Sequence, residues 1–199
     1  MIDKLTILGL SNHRTEGVRT IRADYVHRTA FEHILSALMP ENRLALIVSL
    51  TTGLRIDDVL SLRRKDIEKQ RFTIHEMKTN KARRVSISKE LQEELLYISG
   101  RFYVFEHRTD PKKHRTRQAV YKDLKRACKL FRISGNLQIS PHSARKIYAV
   151  DSYKRTAKLE TVKKLLNHSG EGVTMLYAMA DEYTAERTRG KKLNLPTVH

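Results

Sequence analysis

The chain has 199 residues, with 39 Lys plus Arg against 22 Asp plus Glu, so its formal net charge is +17. That length is sufficient for one domain with a sizeable hydrophobic core. Apolar runs stay well below the ~18 residues that cross a bilayer, and the apolar stretch at residues 5–10 lacks a cleavage site. The sequence therefore predicts neither a membrane span nor a signal peptide.

The positive excess indicates a polyanionic partner, with nucleic acid as the first candidate. A membrane surface is a weaker candidate because the chain lacks a basic amphipathic segment, and a surface tuned only for solubility explains so large an excess less well. Cys128 is the single cysteine, which excludes disulfide scaffolds and zinc ribbons and suits a reducing cytosol. Its apolar neighbours favour a small core residue over a reactive thiol.

Hydrophobic periodicity predicts a mainly helical chain after a polar, basic stretch at residues 1–24. Pro40 is expected to end the first helix, and Gly53 to end the second, which is apolar nearly all round. In chain order, the predicted helices cover residues 31–38, 44–50, a short segment starting near Asp57, a segment from the cap Ser88 to Gly100, and residues 118–131, 143–153, 159–166 and 173–180.

The period changes in the middle of the chain. Residues 72–77 alternate roughly in twos, a polar and basic gap follows at residues 78–81, and the alternation resumes at residues 85–87. This pattern predicts a β-hairpin. Ile67 before it suggests a third strand, and residues 102–105 suggest a short extended piece. The predicted fold class is therefore α+β, mainly α, with helices around one small antiparallel three-stranded sheet.

Several short features along the chain have residue types that suit one phosphate site. An arginine guanidinium is a planar fork that binds two phosphate oxygens at once, so two arginines can hold one phosphodiester and offset the charge of its transition state. His142 lies three residues before Arg145 and would share a helix face with it. The five features are residues 52–62 with Arg55 and Asp58, the turn 78–81, residues 141–145, residues 165–168, and Tyr177.

Two of these features would supply proton transfer and a nucleophile. A lysine on a flexible turn can protonate a departing alkoxide, and Lys78 and Lys81 compete for this role. A tyrosine hydroxyl, with an unperturbed pKa of ~10, needs a cationic site before it can act as a nucleophile near neutral pH. Tyr177, which follows His168 by nine residues, would be activated by such a site.

Each feature has a plainer explanation when it is taken singly. Arg55 could be a surface cation, His142 a helix cap and Tyr177 a half-buried core residue. Lys78 could be one more solvated lysine, and His168 could face the end of a helix dipole. Their order and spacing together weigh against these explanations, because single short motifs occur by chance far more often than an ordered set.

In this order the motifs resemble those of the tyrosine recombinases, a family that includes phage integrases, bacterial Xer recombinases and fimbrial inversion recombinases. The resemblance covers about residues 25–182, most of the chain. The matching segments are residues 53–62 for the first arginine box with Asp58 at its acidic position, Lys78 for the hairpin lysine, His142 and Arg145 for the second box, and residues 165–168 followed by Tyr177 for the terminal box.

The resemblance implies a mechanism in which Tyr177 attacks the scissile phosphate and leaves a 3′-phosphotyrosine and a free 5′-hydroxyl. It implies no metal ion and no nucleotide cofactor, because side chains supply the cations and the phosphotyrosine conserves the bond energy. The other implied roles are phosphate binding by Arg55, Arg145 and His168, general acid catalysis by Lys78, assistance to proton transfer by His142, and orientation of the site by Asp58.

The resemblance also implies partners and a domain plan. Double-stranded DNA is the expected partner, bound by a tetramer on paired sites, with accessory DNA-bending proteins as further candidates, no membrane partner and a cytoplasmic, nucleoid-associated location. We expect a basic lead-in at residues 1–24, a catalytic domain at residues 25–183 and a tail at residues 184–199. The basic side chains expected to contact DNA are Lys81, Arg83, Arg84, Lys112, Lys113, Arg115 and Arg117.

Three departures from the family pattern stand out. Lys146 follows the second arginine, where a histidine is frequent, and Asn167 precedes the terminal histidine in place of the usual glycine. The N-terminal DNA-binding domain of the family has no counterpart before residue 25, so we expect a short recombinase or a fragment. Two alternatives stay open, namely a type IB topoisomerase and a non-catalytic DNA-binding protein with a decayed recombinase fold.

Overall fold

A computed structural model describes residues 26–131 and 139–166 of the chain. The order of elements is helices, a hairpin and helices again, as predicted, whereas the predicted helix at residues 173–180, the lead-in and the tail lie outside the described residues. The elements are α1 (Arg28–Leu35), α2 (Pro40–Thr52), α3 (Ile56–Leu60), a 3₁₀ helix (Arg64–Glu68), β1 (Arg71–His75), β2 (Ala82–Ser86), α4 (Lys89–Ile98), α5 (Arg117–Leu130), α6 (Pro141–Thr156) and α7 (Leu159–Leu166).

Pro40 begins a helix instead of ending one, which corrects the prediction for this part of the chain. The preceding helix already ends at Leu35, and Pro40 is the first residue of α2. Proline fits there because the N–H that it lacks has no partner in the first turn of a helix. Two donors at this end of α2, the Met39 N–H and the Asn42 side-chain amide, lie 2.8 Å from Oδ2 of Asp123 and so join α2 to α5.

Gly53 ends α2 as predicted, and no other residue fits its place. Its backbone is left-handed, with φ 70° and ψ 15°, and its N–H donates to the Ser49 carbonyl at 2.9 Å. A Cβ at this position would overlap the ring of Tyr148. The chain therefore turns sharply here, and two residues later Arg55 precedes the first turn of α3 in extended backbone.

The predicted hairpin is confirmed. Strands β1 and β2 pair antiparallel, from Arg71 opposite Ser86 to His75 opposite Ala82. Asn80 closes the turn with φ 51°, a left-handed conformation that asparagine tolerates, and its N–H donates to the Glu76 carbonyl at 2.7 Å.

The predicted third strand is wrong: the described sheet has two strands. Ile67 lies in the 3₁₀ helix, fully buried, and its carbonyl accepts a hydrogen bond from the Gln92 side chain at 2.8 Å. Ile67 is thus buried in a tight helical turn. A single apolar residue in the sequence does not show whether its backbone forms such a turn or a strand. Of the predicted extended piece at residues 102–105, Tyr103 alone forms a bridge, with Arg63, whereas Val104 and Phe105 lie in a turn and the Val104 N–H donates to the Leu62 carbonyl.

The chain divides into two compact units, residues 1–148 and 149–199. In the first unit, the apolar faces of the helices bury one core, which includes Cys128 as predicted, and burial raises the pKa of its thiol. In the second unit, Val162 and Leu166 of α7 are buried. None of the helices in the described residues is long and apolar enough to cross a membrane. The largest fully buried side chains of the first core include Phe31, Leu46, Leu54, Leu60, Leu95, Phe105 and Leu124.

Replacement of Gly53 by alanine should destabilise the protein. The new Cβ would add left-handed strain and would force Tyr148 to move, for a combined cost of about 3 kcal/mol in the free energy of unfolding. Urea denaturation, followed by circular dichroism, measures this as a lower midpoint at an unchanged slope.

A double-mutant cycle separates the two causes. In a Tyr148→Ala background, the same glycine replacement should cost only the left-handed strain, about 1–2 kcal/mol. Equal costs in both backgrounds would show that the Tyr148 ring does not restrict this position.

Candidate active site

Arg55 points its guanidinium toward the hairpin. Its Nη1 donates to Oε2 of Glu76 at 2.8 Å, and its side chain is only 12% exposed. A guanidinium has five N–H donors, so the bond to Glu76 still leaves the capacity to bind phosphate oxygens. The turn at Gly53 and the start of α3 therefore deliver the first predicted phosphate ligand next to a buried carboxylate.

Glu76, which the sequence analysis did not single out, is the centre of this arrangement. It directly follows β1 and its side chain is completely buried. Its Oε2 accepts from Arg55 and, at 3.0 Å, from the Thr79 hydroxyl, while its Oε1 accepts from Nη1 of Arg83 at 3.0 Å. Burial alone would raise the pKa of Glu76, but the hydrogen bonds from Arg83 and Thr79 and the charges of both arginines outweigh it and lower the pKa.

Arg83 has a structural place that argues against the predicted DNA contact. Its side chain is 9% exposed, its Nη1 donates to Glu76, and its Nη2 donates to the Thr52 carbonyl at 2.6 Å. Because β2 alternates its faces, Arg83 lies on the same inward side as the buried Val85. It ties the hairpin to the end of α2.

Arg145 on α6 lies in the same cluster as Arg55. It is buried, and its Nη1 donates to the Gly53 carbonyl at 2.8 Å. Burial and the positive charges of Arg55 and Arg83 lower the pKa of Arg145 to about 9, against the opposing effect of nearby carboxylates. The guanidinium is still charged at neutral pH, in a site where cations repel one another and an anion would be stabilised.

Asp58 of α3 lies between the arginines and the hairpin. It is buried, its Oδ1 accepts from the Met77 N–H at 2.8 Å, and its Oδ2 has no hydrogen-bond partner among the described residues. Burial and the charge of Glu76 raise the pKa of Asp58, although the Met77 bond and the charges of Arg55 and Arg145 oppose the rise. Its contacts fit the predicted role of orienting the site from behind the arginines.

His142 is at the start of α6, directly after Pro141, and its backbone N–H donates to the Ser140 hydroxyl at 3.2 Å. The residue is exposed, but neighbouring atoms partly desolvate its ring, and this effect together with the charges of Arg117 and Arg145 lowers the pKa of His142. The imidazole is therefore neutral at pH 7, the form that can accept a proton.

Lys78 and Lys81 flank the hairpin turn, and both are exposed. The turn is held by the Thr79 hydroxyl, which donates to Glu76 and lies 3.4 Å from the Lys81 N–H. Both lysines are thus attached to the element that carries Glu76.

The other residues predicted to bind DNA divide between surface and interior. Arg115 is 15% exposed and its Nη1 donates to Oδ1 of Asn42 at 3.2 Å, so its place also argues against a DNA contact. His168 and Tyr177 lie outside the described residues. In residues 26–131 and 139–166, no three His, Cys, Asp or Glu side chains are grouped as metal ligands would be. The remaining predicted DNA contacts are all exposed: Lys81, Arg84, Lys112, Lys113 and Arg117.

The buried ion pairs of Glu76 with Arg55 and Arg83 predict that the free energy of unfolding depends on pH. Because the pKa of Glu76 is lower in the folded protein, its contribution is fully present above the ordinary value of 4.5 and is lost as the pH falls through the folded value. We expect Glu76→Gln to be less stable than the parent chain near neutral pH and to lose less stability on acidification. Urea midpoints between about pH 7 and pH 3 measure both effects.

Glu93→Gln is the matched control, because Glu93 is 65% exposed and its ion pair with Lys89 is 3.9 Å long. Its acid profile should follow that of the parent chain. A profile for Glu76→Gln as steep as that of the parent chain would contradict the assignment of the acid-sensitive contribution to Glu76.

Known proteins are similar to this chain in sequence. A protein in Bacillus subtilis (strain 168) named "Probable integrase/recombinase YoeC" is 30% identical over 151 residues, which are 69% of this chain and 77% of that protein. The integrase of Escherichia phage P2 is 26% identical over 182 residues, 88% of this chain and 50% of the phage protein. The chain thus spans about half the length of the phage relative.

Solved structures share the fold. A lambda integrase dimer bound to a COC′ core site superimposes with a TM-score of 0.67 at 20% identity, over 84% of this chain and 62% of that one. The catalytic domain of bacteriophage HP1 integrase gives 0.58 at 22% identity, over 79% of this chain and 88% of that domain. The predicted mainly helical recombinase fold is therefore confirmed, with two strands in its sheet.

The family model described as "Phage integrase family" matches residues 25–183, most of the chain. The matched segment contains the paired arginines, the buried carboxylates and the hairpin lysines described above, together with Tyr177. The chain therefore belongs to the phage integrase family of tyrosine recombinases.

Proposed function

We propose that this protein is a site-specific DNA recombinase that cuts and rejoins DNA through a 3′-phosphotyrosine on Tyr177. The observation that carries the proposal is the cluster of Arg55 and Arg145 around buried carboxylates, beside an exposed His142 and the lysine turn. Such a cluster stabilises the negative charge that develops on a phosphodiester during transfer.

The proposed reaction begins when the Tyr177 oxygen attacks the scissile phosphorus. An O–P bond forms to the tyrosine, the bond from phosphorus to the 5′-oxygen breaks, and that oxygen leaves with a proton from the lysine turn. His142, neutral at pH 7, assists removal of the tyrosine proton, and His168 donates a hydrogen bond to the phosphate. Attack by a 5′-hydroxyl reverses these steps and rejoins the DNA.

Arg55 and Arg145 are assigned to the non-bridging phosphate oxygens. Their guanidinium groups lie in a site with an excess of positive charge, where burial and the charges of Arg55 and Arg83 lower the pKa of Arg145. A phosphate would offset this excess, and its negative charge grows in the pentacoordinate transition state. Asp58 limits the movement of the hairpin through its bond to Met77 and is assigned to orientation.

The proposed partner is double-stranded DNA bound as a tetramer on paired sites, with accessory DNA-bending proteins as further partners. The net charge of +17 and the exposed lysines support a DNA partner, and a lambda integrase tetramer bound to a Holliday junction superimposes with a TM-score of 0.64. We assign residues 1–24 to a lead-in, 25–183 to the catalytic domain and 184–199 to a tail. The proposed location is the cytoplasm, on the nucleoid.

The Tyr177→Phe variant should bind DNA but form no covalent adduct, because it lacks only the nucleophilic oxygen. The substrate is a pool of nicked duplexes of random sequence, in which loss of the short downstream fragment traps the intermediate. Adducts of the full chain are recovered under denaturing conditions and sequenced, and binding is measured by mobility shift.

Three outcomes would overturn parts of the proposal. An adduct with Tyr177→Phe would exclude Tyr177 as the nucleophile. DNA binding by the parent chain without any adduct would favour a non-catalytic DNA-binding protein. Relaxation of a supercoiled plasmid that lacks the recovered sequence would favour a type IB topoisomerase.

A second experiment identifies the general acid in the lysine turn. A substrate with sulfur in the 5′-bridging position has a leaving group that needs no proton. It should restore cleavage by Lys78→Ala, whereas Arg55→Ala should stay impaired because its loss concerns phosphate binding. Lys81→Ala is the matched control in the same turn, and restoration of that variant instead would transfer the role to Lys81.

A further inference from the structure

The Glu76 carboxylate contacts both chemical halves of the described site. The guanidinium of Arg55 belongs to the phosphate-binding half, and the turn of residues 78–81 belongs to the proton-donating half. Oε2 of Glu76 accepts hydrogen bonds from Arg55 at 2.8 Å and from Thr79 at 3.0 Å. One oxygen atom therefore joins the two halves directly.

The other oxygen of the same carboxylate is fixed to the body of the fold. Oε1 accepts from Arg83, whose second terminal nitrogen donates to the carbonyl of Thr52 at the end of α2. The carboxylate thus has little freedom to move with the turn. Because the carboxylate is held in this way, the position of Oε2 sets the positions of both donors that bind it, Arg55 and Thr79.

Thr79 connects the Glu76 carboxylate to the turn of residues 78–81. It directly follows Lys78, and its hydroxyl donates to Glu76 while the Lys81 N–H lies 3.4 Å from the same oxygen. The Glu76 backbone closes the turn as well, since its carbonyl accepts from Asn80 and its N–H donates to the Lys81 carbonyl. The Lys81 backbone is thus held by Glu76 and Thr79, and Lys78 lies in the same turn, directly before Thr79.

A carboxylate repels a nearby phosphate, so its presence in this site calls for an explanation. A neutral amide at residue 76 would accept some of the same hydrogen bonds and would not repel the DNA phosphate. However, charge-assisted bonds are shorter and stronger than neutral ones, so the anion holds its donors in a narrower range of positions. Precision of this kind matters most in a transition state.

We propose that Glu76 is a positioning residue that sets both the phosphate-binding Arg55 and, through Thr79, the general-acid lysine. This inference rests on the proposed function, because it assigns parts of the same reaction. Its prediction is specific: loss of the Thr79 hydroxyl impairs proton donation alone, whereas loss of the Glu76 charge impairs proton donation and phosphate stabilisation together.

The test compares full-length variants on the nicked duplex recovered with the parent chain and on the same duplex with a 5′-bridging sulfur. Thr79→Val should slow cleavage of the oxygen substrate by about tenfold and cleave the sulfur substrate at the parent rate. Thr79→Ser, which keeps the hydroxyl, should cleave both at nearly the parent rate. Glu76→Gln should be slowed by more than about tenfold on oxygen and should recover only in part on sulfur.

Two controls separate positioning from folding. Thr73→Val makes the same replacement at an exposed position of β1, outside these contacts, and should cleave both substrates normally. Thermal melts followed by circular dichroism show which variants are folded. If Glu76→Gln does not fold, the Thr79 pair alone decides, because a fold defect lowers the rates on both substrates by the same factor.

The outcomes distinguish this inference from the proposed function. Absence of an adduct with the parent chain would overturn both. Normal cleavage of the oxygen substrate by Thr79→Val or by Glu76→Gln, in the presence of a parent adduct, would overturn the positioning role alone. An equal defect of Thr79→Val on oxygen and sulfur would do the same, since proton donation would then not be the impaired step.

Discussion

The buried carboxylate of Glu76, held between Arg55 and Arg83, is the interaction on which the rest of this site depends. A charge out of water is tolerated only when hydrogen bonds and opposite charges compensate for the lost hydration, and removal of one partner from such a group costs about 3–5 kcal/mol. Here the compensation comes from the residue before α3, from β2 and from the hairpin turn. The hydrogen bonds to this one carboxylate therefore hold three separate segments of the chain together.

The electrostatic balance around this carboxylate favours an anionic ligand. Three arginines surround two buried carboxylates, and burial, followed by the charges of the other two arginines, lowers the pKa of Arg145. One of the carboxylates, Asp58, has its pKa raised, chiefly by burial, so the negative charge it contributes is reduced further as the pH falls. A phosphodiester would supply the missing negative charge, and the neutral His142 beside it can accept a proton.

Several predictions from the sequence were accurate because they depended on local chemistry. The turn at Gly53, the cap at Ser88, which accepts from the Leu91 N–H, and the hairpin follow from glycine, capping and alternation rules that operate within a few residues. The predicted third strand at Ile67 was wrong because burial of one apolar residue does not specify its backbone. Glu76 was overlooked in the sequence analysis, although the alternation that points Phe72 and Ile74 inward also places residue 76 on the inward side. An acidic residue at an inward position is itself a sign of a buried ion pair.

By itself, the sequence determined the order of helices and hairpin, the residue types of a phosphate site, and the pair of His142 and Arg145, which one helix turn is sufficient to bring together. Only the tertiary structure decided how the charges are paired. Arg55 and Glu76 are 21 positions apart, and Arg83 reaches back 31 positions to Thr52. Basic residues that look alike in the sequence therefore differ in the fold: Arg83 and Arg115 are held inside, while Arg84 and Lys112 face solvent. The physical reason is that desolvation depends on all the elements packed around a side chain, which a local pattern does not contain.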